Sequence, residues 1–526
     1  VQTSQDTTPV LVIGGSLVGL STALFLAWRG VPTVLVEKHR ASAAHPRAIG
    51  FTELTLEHFR TVGIADQIPQ VAPDLRLRRV TVESLGGAWG EETPWTPGQA
   101  EPDKGAASPC TGAAIAQDVL EPILRRAAAE RGADLRLGVE MLSFEPQDDR
   151  VVVRTRDRSG GDECEIQCAY LIAADGADSP VREQLGIARS GVGHLRVLRS
   201  VLFRCEAAEH LLNGDVQQFQ IEQPGFSAFL THYPDGRWVL MFADDAERDA
   251  SELAASIRRA LGRDLEFEIL ATGRWEMAGR IADRYSLGRV FLAGDAAHQL
   301  PPTRGGFGAN TGIDDAWNLA WKLQMVLASQ AGEGLLETYA QERQPIGWLR
   351  HHQTFARPDY SRWVGQAPQT ELYGAQALEL GQLVRSAAVI GAGPELPPAA
   401  DPVVWAGQPG VRAPHVWVSR DGARISTHDL LGRGFMLLAE PSDWGEAAAA
   451  ASMALGVAVQ WVRPGVDVIF PADATFERTF GVSPPGACLV RPDGVVGWRS
   501  QRLSDARSGA LTTALATVLA RPNVKR

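Results

Sequence analysis

The chain has 526 residues, 45% hydrophobic and 21% charged, an ordinary globular balance at a length too great for one compact core. Its net charge of −11, with no long basic run, removes the electrostatic footprint of a nucleic-acid binder. The cysteines Cys110, Cys164, Cys168, Cys205 and Cys488 are odd in number and scattered, which argues against a disulfide framework and for a reducing, cytoplasmic setting.

Residues 10–13 (VLVI) read as a short buried parallel strand. A glycine-bearing turn follows, then a helix closed by Gly30, then a second strand at 33–37. Gly14, Gly15 and Gly19 interrupt this apolar region, so it reads as neither a signal peptide nor a membrane span. Residues 86–112 are rich in Gly, Pro and charge, and are expected as a loop near a site entrance. A helix is expected over 117–131, strands over 135–172 and again over 190–245, and a helical pattern over 313–331. The Pro- and Gly-rich stretch 391–414 reads as a linker, and residues 415–526 as a small separate α/β domain. No internal repeat is found. The fold class is therefore α/β, with a nucleotide-binding domain split over 1–185 and 281–390 and a mostly-β substrate-binding insert at 186–280.

Three stretches carry the chemistry. The first is GGSLVG at 14–19, between a strand and a helix, where Gly14 and Gly19 take the first and third places of a dinucleotide-binding turn. Ser16 replaces the second glycine; it is small enough for close approach, and its hydroxyl is free to donate to phosphate. Glu37 closes the second strand, where an acid accepts ribose hydroxyls, and the helix N-terminus offers amides to a pyrophosphate. The second stretch is LIAADGADSPVREQLGI at 171–187, which delivers Asp175 and Gly176 from a strand. The third is GRVFLAGDAAHQLPPTRGGFGANTGIDDAWNLAWKL at 288–323, in which a strand ends at Gly294 and Asp295 and a helix starts near Thr311. Asp295 is placed to accept from a polyol chain, and residues 305–310 put bare amides at a helix start.

In these motifs and their order the chain resembles the class A, single-component FAD monooxygenases of the p-hydroxybenzoate and phenol hydroxylase type. Over its whole length it is most similar to bacterial aromatic polyketide hydroxylases, such as aklavinone and angucycline hydroxylases. The resemblance implies a Rossmann-like FAD-binding domain, an inserted substrate sheet and a thioredoxin-like C-terminal domain. It implies hydroxylation of a polycyclic aromatic with NAD(P)H and O2 through a flavin C4a-hydroperoxide, with Baeyer–Villiger or epoxidising chemistry as the alternative. The implied cofactor set is Gly14, Ser16, Leu17, Val18, Gly19, Glu37, Lys38, Arg47, Gln117, Met141, Asp175, Gly294, Asp295, Pro302, Gly305, Gly308, Ala309 and Asn310. Thr303 and Arg304 stand where the family has one residue, a departure that bears on the path of this loop.

Such chemistry needs a dry site and an electron-rich ring, so a cation near the substrate hydroxyl helps. The resemblance assigns that role to Arg385, and places Pro302 beside the reacting edge. Phe219, Phe226 and Phe229 are candidate pocket aromatics from the inserted sheet, with core packing as their other reading. His298 reads as a structural cap rather than a base. His232, His351 and His352 lack metal spacing, and Cys164 and Cys168, with no second pair and no nearby His, do not make a metal site either. Cys488 stands alone without a C-x-x-C. The partners expected are an aromatic small molecule and O2, with no nucleic acid or membrane, and the enzyme a monomer or homodimer. A flavin halogenase lacks its G-W-x-W-x-I-P stretch here, and a flavin disulfide reductase its redox cysteine pair.

Overall fold

The computed structural model describes residues 4–45, 48–73, 78–93, 107–214, 216–302, 307–365, 368–507 and 509–521. The Arg47 and Gly305 assignments, the Thr303–Arg304 departure and the 94–106 part of the expected entrance loop lie outside these residues.

The fold is mixed α/β. The apolar strand Ser4–Ile13 lies centrally in a sheet of order Ser286–Leu287, Val290–Leu292, Glu163–Ala173, Ser4–Ile13, Thr33–Glu37, Asp134–Leu137. Its central pairings are all parallel. The register Ile13↔Val36, Ile13↔Ala173 and Ala173↔Leu292 ends four strands on one line. Gly14, Glu37, Asp175 and Gly294 therefore emerge along the same edge, where open parallel sheets bind ligands. The helix Leu17–Trp28 has almost no polar face, and its unbroken buried run from Gly19 to Ala27 fits a helix covered on every side. It packs against helices Gln117–Glu130 and Phe307–Leu327.

A second sheet, largely antiparallel, is ordered His298–Gln299, Glu268–Ala282, Arg189–Arg204, Arg237–Phe242, Phe226–His232, Gln218–Gln223, Arg79–Val82, Trp89–Thr93. The helix Ala250–Leu261 covers one face, with Leu253, Ile257, Ala260 and Leu261 in the core it forms there. Asp249 and Glu252 make a reciprocal capping box at its start, and Gly262 closes it in the left-handed region.

Beyond residue 415 a four-stranded sheet is ordered Val459–Val462, Phe435–Leu438, Ala487–Val490, Val496–Ser500. Side-chain alternation divides it: Phe435, Leu437 and Leu489 enter one apolar cluster, Met436, Leu438 and Val490 another. The first cluster also contains Trp321 and Met325 of the Phe307–Leu327 helix, so this region shares a core with that helix. Segment 391–414 is ordered between them; Trp405 is buried and its indole N–H donates to the Gly381 carbonyl. Among the described residues, no helix is long and apolar enough to cross a membrane.

Candidate active site

A cleft of about 1870 Å³ runs from the parallel-strand edge to the open face of the second sheet. Its first half is the glycine turn. Gly14 has φ +105°, and a Cβ there would lie 2.2 Å from the Ala174 carbonyl oxygen. A Cβ on Gly19 would lie 1.9 Å from the Gly14 carbonyl oxygen. Both close approaches are between backbones and cannot be relieved by a rotamer change.

Glu37 is fixed by two amides: Oε2 accepts from Gly15 N at 2.6 Å and Oε1 from His39 N at 2.8 Å. Ser16 departs from its expected role. Its hydroxyl donates to Glu121 Oε1 at 2.7 Å and accepts from Gln117 Nε2 at 2.9 Å, so its proton is already used within the protein. Gln117 also donates to Glu121 at 2.8 Å. Glu121, which the sequence reading missed, is buried at the cleft wall; the i, i+4 spacing from Gln117 is the signal that would have found it. Leu17, Val18, Lys38 and Met141 also line this half.

Asp175 Oδ2 accepts from Val181 N at 3.2 Å, while Oδ1 is buried with no hydrogen-bond partner among the described residues. Burial raises its pKa above the ordinary carboxylate value. Asp295, in the turn Gly294–Ala296, is exposed to the cleft close to Gly308. Gly308, Ala309 and Pro302 line the cleft, but Asn310 does not. The Phe307–Leu327 helix starts four residues before the expected Thr311, which turns Asn310 inward. Its Oδ1 accepts from Thr52 N at 3.0 Å and Thr55 Oγ1 at 2.7 Å, and its Nδ2 donates to Gly50 O at 3.2 Å. Asn310 is thus a brace between two walls.

Beneath the Gly294 turn lies a buried charge network. Asp315 Oδ2 accepts from Gly294 N at 3.2 Å and meets His298 Nε2 at 2.7 Å, while Arg343 Nε donates to Asp315 Oδ1 at 2.7 Å. Burial pushes Asp315 up, but His298 and Arg343 outweigh it and hold the carboxyl below its ordinary value. His298 is wholly buried here and supports the turn.

The second half of the cleft is the open sheet face. Cross-strand pairs Arg196↔Met277, Leu198↔Trp275 and Ser200↔Met241 share it, with Phe229 and Thr231 on the next strand. His45, also missed in the sequence, lines the cleft beside this face, with Nε2 3.0 Å from Ser200 Oγ. Tyr360 donates to the Pro302 carbonyl at 2.6 Å and joins the sheet side to the cofactor side.

Only Phe229 of the three candidate aromatics lines the cleft. Phe219 pairs with Leu230 and is wholly buried against Trp89 on the opposite face. Phe226 packs toward that same core under the Arg259 guanidinium, 4.6 Å from its ring centroid. Arg385 is also away from the cleft; its guanidinium donates to the Gly393 and Leu396 carbonyls and shapes the 381–410 segment.

A glycine turn that admits no side chain, a fixed acid at the second strand, an orphaned buried carboxylate oxygen and a wide sheet-floored annex together define an FAD-binding flavoprotein. The site fits FAD: Asp175 Oδ1 lacks a donor that a polyol hydroxyl supplies, and the turn is shaped for a pyrophosphate. Residues 7–354 match the FAD binding domain family and residues 406–522 the aromatic-ring hydroxylase C-terminal family. The chain is 38% identical to the tetracenomycin A2 monooxygenase-dioxygenase of Streptomyces glaucescens, over 98% of each protein. It is 38% identical to the 4-methyl-5-nitrocatechol 5-monooxygenase of Burkholderia sp, again over 98% of each. A crystal structure of aklavinone-11 hydroxylase with FAD and aklavinone superposes with a TM-score of 0.86 at 35% identity, covering 98% of this chain and 99% of that one. The protein belongs to the FAD-dependent aromatic-ring hydroxylases and is an FAD-dependent monooxygenase.

Proposed function

We propose that the protein hydroxylates a polycyclic aromatic of the polyketide type, with NAD(P)H as transient reductant and O2 as co-substrate. The observation that carries this reading is the continuity of the cleft. At about 1870 Å³ it exceeds the roughly 300–1,000 Å³ of a pocket for one small ligand, leaving room for a dinucleotide and a second flat guest. The relatives named for tetracenomycin and aklavinone support a fused-ring guest.

FAD, when bound, supplies the activation of O2. Glu37 accepts ribose hydroxyls, the N-terminus of the Leu17–Trp28 helix faces the pyrophosphate, and Asp175 and Asp295 accept from the polyol chain. Pro302, Gly308 and Ala309 hold the ring end. Leu198, Phe229, Met241, Trp275 and Met277 present an apolar floor that orients the substrate and excludes water. The free thiols suit a reducing cytoplasm, and the enzyme works as a monomer or homodimer.

The test is a panel of anthracyclinone- and angucyclinone-like phenols, scored for stimulated NADPH and NADH oxidation by the FAD-loaded enzyme. Stimulation by fused-ring phenols, with one 18O atom incorporated into a hydroxyl from 18O2, is the expected result. A ring-expanded or epoxide product would replace hydroxylation with the alternative chemistry, and no stimulation by any phenol would overturn the reading.

A further inference from the structure

Among the described residues, the cleft contains a cation without a counter-ion. Arg196 projects from the strand Arg189–Arg204 on the cleft face, opposite Met277. Its guanidinium lies 5.2 Å from the centroid of Trp363, and the guanidinium of Arg362 lies 5.3 Å from the same indole. Arg196 Nε is buried with no hydrogen-bond partner, and no carboxylate acts on Arg196 among the described residues. Burial lowers its pKa; the charged or ionisable groups that act on it further are Tyr360, which favours the cation, and the like-charged Arg362. Tyr360 is the residue bonded to the Pro302 carbonyl, so this corner adjoins the cofactor wall.

Two other cleft arginines are engaged: Arg79 donates to Gln218 Oε1 at 2.8 Å and stacks on Phe229, and Arg274 is held by Asp245 at 2.8 Å, while Arg362 shares the Trp363 indole with Arg196 and adds to the positive charge of this corner. A guanidinium that gives up water without receiving an acceptor bears a desolvation cost unless a ligand supplies one. Cation–π contact with Trp363 keeps its plane in place but fills none of its N–H donors.

We propose that Arg196, steadied by Trp363, receives an anionic oxygen of the aromatic substrate, an ionised phenol or an aryl carboxylate, and so selects acidic aromatics over neutral ones. The proposal rests on the aromatic-hydroxylase reading above and gives Arg196 the cationic role expected of Arg385. If the oxygen is a phenolate, the same contact makes the ring electron-rich for attack.

The experiment uses FAD-loaded wild type, Arg196→Gln and Arg196→Lys. Anthraquinone, a hydroxyanthraquinone and an anthraquinone carboxylate are titrated in, with binding read from the flavin absorbance change. Wild type is expected to bind at least one acidic probe about tenfold or more tightly than neutral anthraquinone, a charge-assisted preference that weakens with added salt. Arg196→Gln is expected to erase that preference, weakening the acidic probe at least about tenfold more than neutral anthraquinone, and Arg196→Lys to restore part of it. A phenolate absorption band from the bound hydroxyanthraquinone, at a pH where the free probe is neutral, assigns the site to the ionised phenol. Preference for the carboxylate without that band assigns it to a carboxylate. Preference retained in an FAD-loaded Arg196→Gln, or absent from wild type that binds neutral anthraquinone, overturns the proposal alone. If no probe binds wild type, the fused-ring substrate reading falls with it. Should Arg196→Gln fail to hold FAD, the wild-type preference, its salt dependence and Arg196→Lys decide.

Discussion

Gly14 shows how tightly one position constrains the turn at the strand edge. Its φ of +105° and the 2.2 Å from a would-be Cβ to the Ala174 carbonyl oxygen leave no adjustment that spares the parallel strands. Gly14→Ala is therefore expected to purify without the yellow colour, and FAD titration should give an affinity lowered by at least about 100-fold. A fully flavinated Gly14→Ala protein would contradict this account of the turn. His351 is a second informative residue. Burial first, then neighbouring His352, push it down to about 4, and its Nε2 accepts from Val192 N at 3.2 Å. The unfolded imidazole titrates near 6.5. Protons therefore bind the unfolded chain preferentially between those values: this stabilisation is complete above about pH 6.5 and is lost as pH falls to about 4. The loss is roughly 2–3 kcal/mol. Urea melts at pH 7 and pH 4.5 should show a smaller difference for His351→Gln than for wild type.

At the scale of elements, strand parity separates three phenylalanines that look alike in the sequence. Gln218 and Gln220 face the cleft, which sends Phe219 into the core, while the pairing Gln220↔Phe229 brings Phe229 out to the substrate side. Phe219→Ala is expected to cost about 3–5 kcal/mol of stability with KM little changed in the folded fraction. Phe229→Ala should cost less stability and raise KM for the aromatic substrate. Denaturant melts together with steady-state kinetics of both variants check the pair, and a reversed pattern would refute the register. The alternation of each strand is visible in its residues, but its face is set by pairing between distant strands and by bulges such as that between His194 and Arg196. That is why Arg196 escaped notice. The position of the glycine turn, Glu37, Asp175 and Asp295 at the cleft is legible because each depends on a few consecutive residues at a strand end. Glu121 has a local signal in its i, i+4 spacing from Gln117, but its bond to Ser16, the place of His45 and the inward turn of Asn310 depend on contacts between distant segments.

At the scale of the molecule, the helix Phe307–Leu327 links the cleft to the C-terminal region. Its first turn contributes Gly308 and Ala309 to the cleft, and its later turns present Trp317, Asn318 and Trp321 to Asp493. Trp317 donates to the Asp493 carbonyl at 3.0 Å and Trp321 to Asp493 Oδ2 at 3.1 Å. Arg491 donates to both oxygens of Glu342, at 2.7 and 2.9 Å, and Lys322 of the same helix donates to Glu342 at 2.9 Å, all buried. Burial alone would raise Glu342, but Arg491 and Lys322 hold it well below the ordinary carboxylate value. Cys488, on the strand Ala487–Val490 just before Arg491, is pushed by burial up to about 12 and packs in the apolar cluster on the other face of that sheet. Arg491→Ala removes the larger share of positive charge facing Glu342 and strands Asp493, so a loss of about 3–5 kcal/mol is expected. Because Trp321 and Met325 belong to the same apolar cluster as Phe435 and Leu489, the loss should reach the cleft as well. Calorimetry of the FAD-loaded variant, followed by flavin fluorescence, should show one transition at a lower Tm with FAD released in the same step. A separate early transition that leaves FAD bound would show instead that the C-terminal region is an independent unit, and that the helix carries no coupling between them.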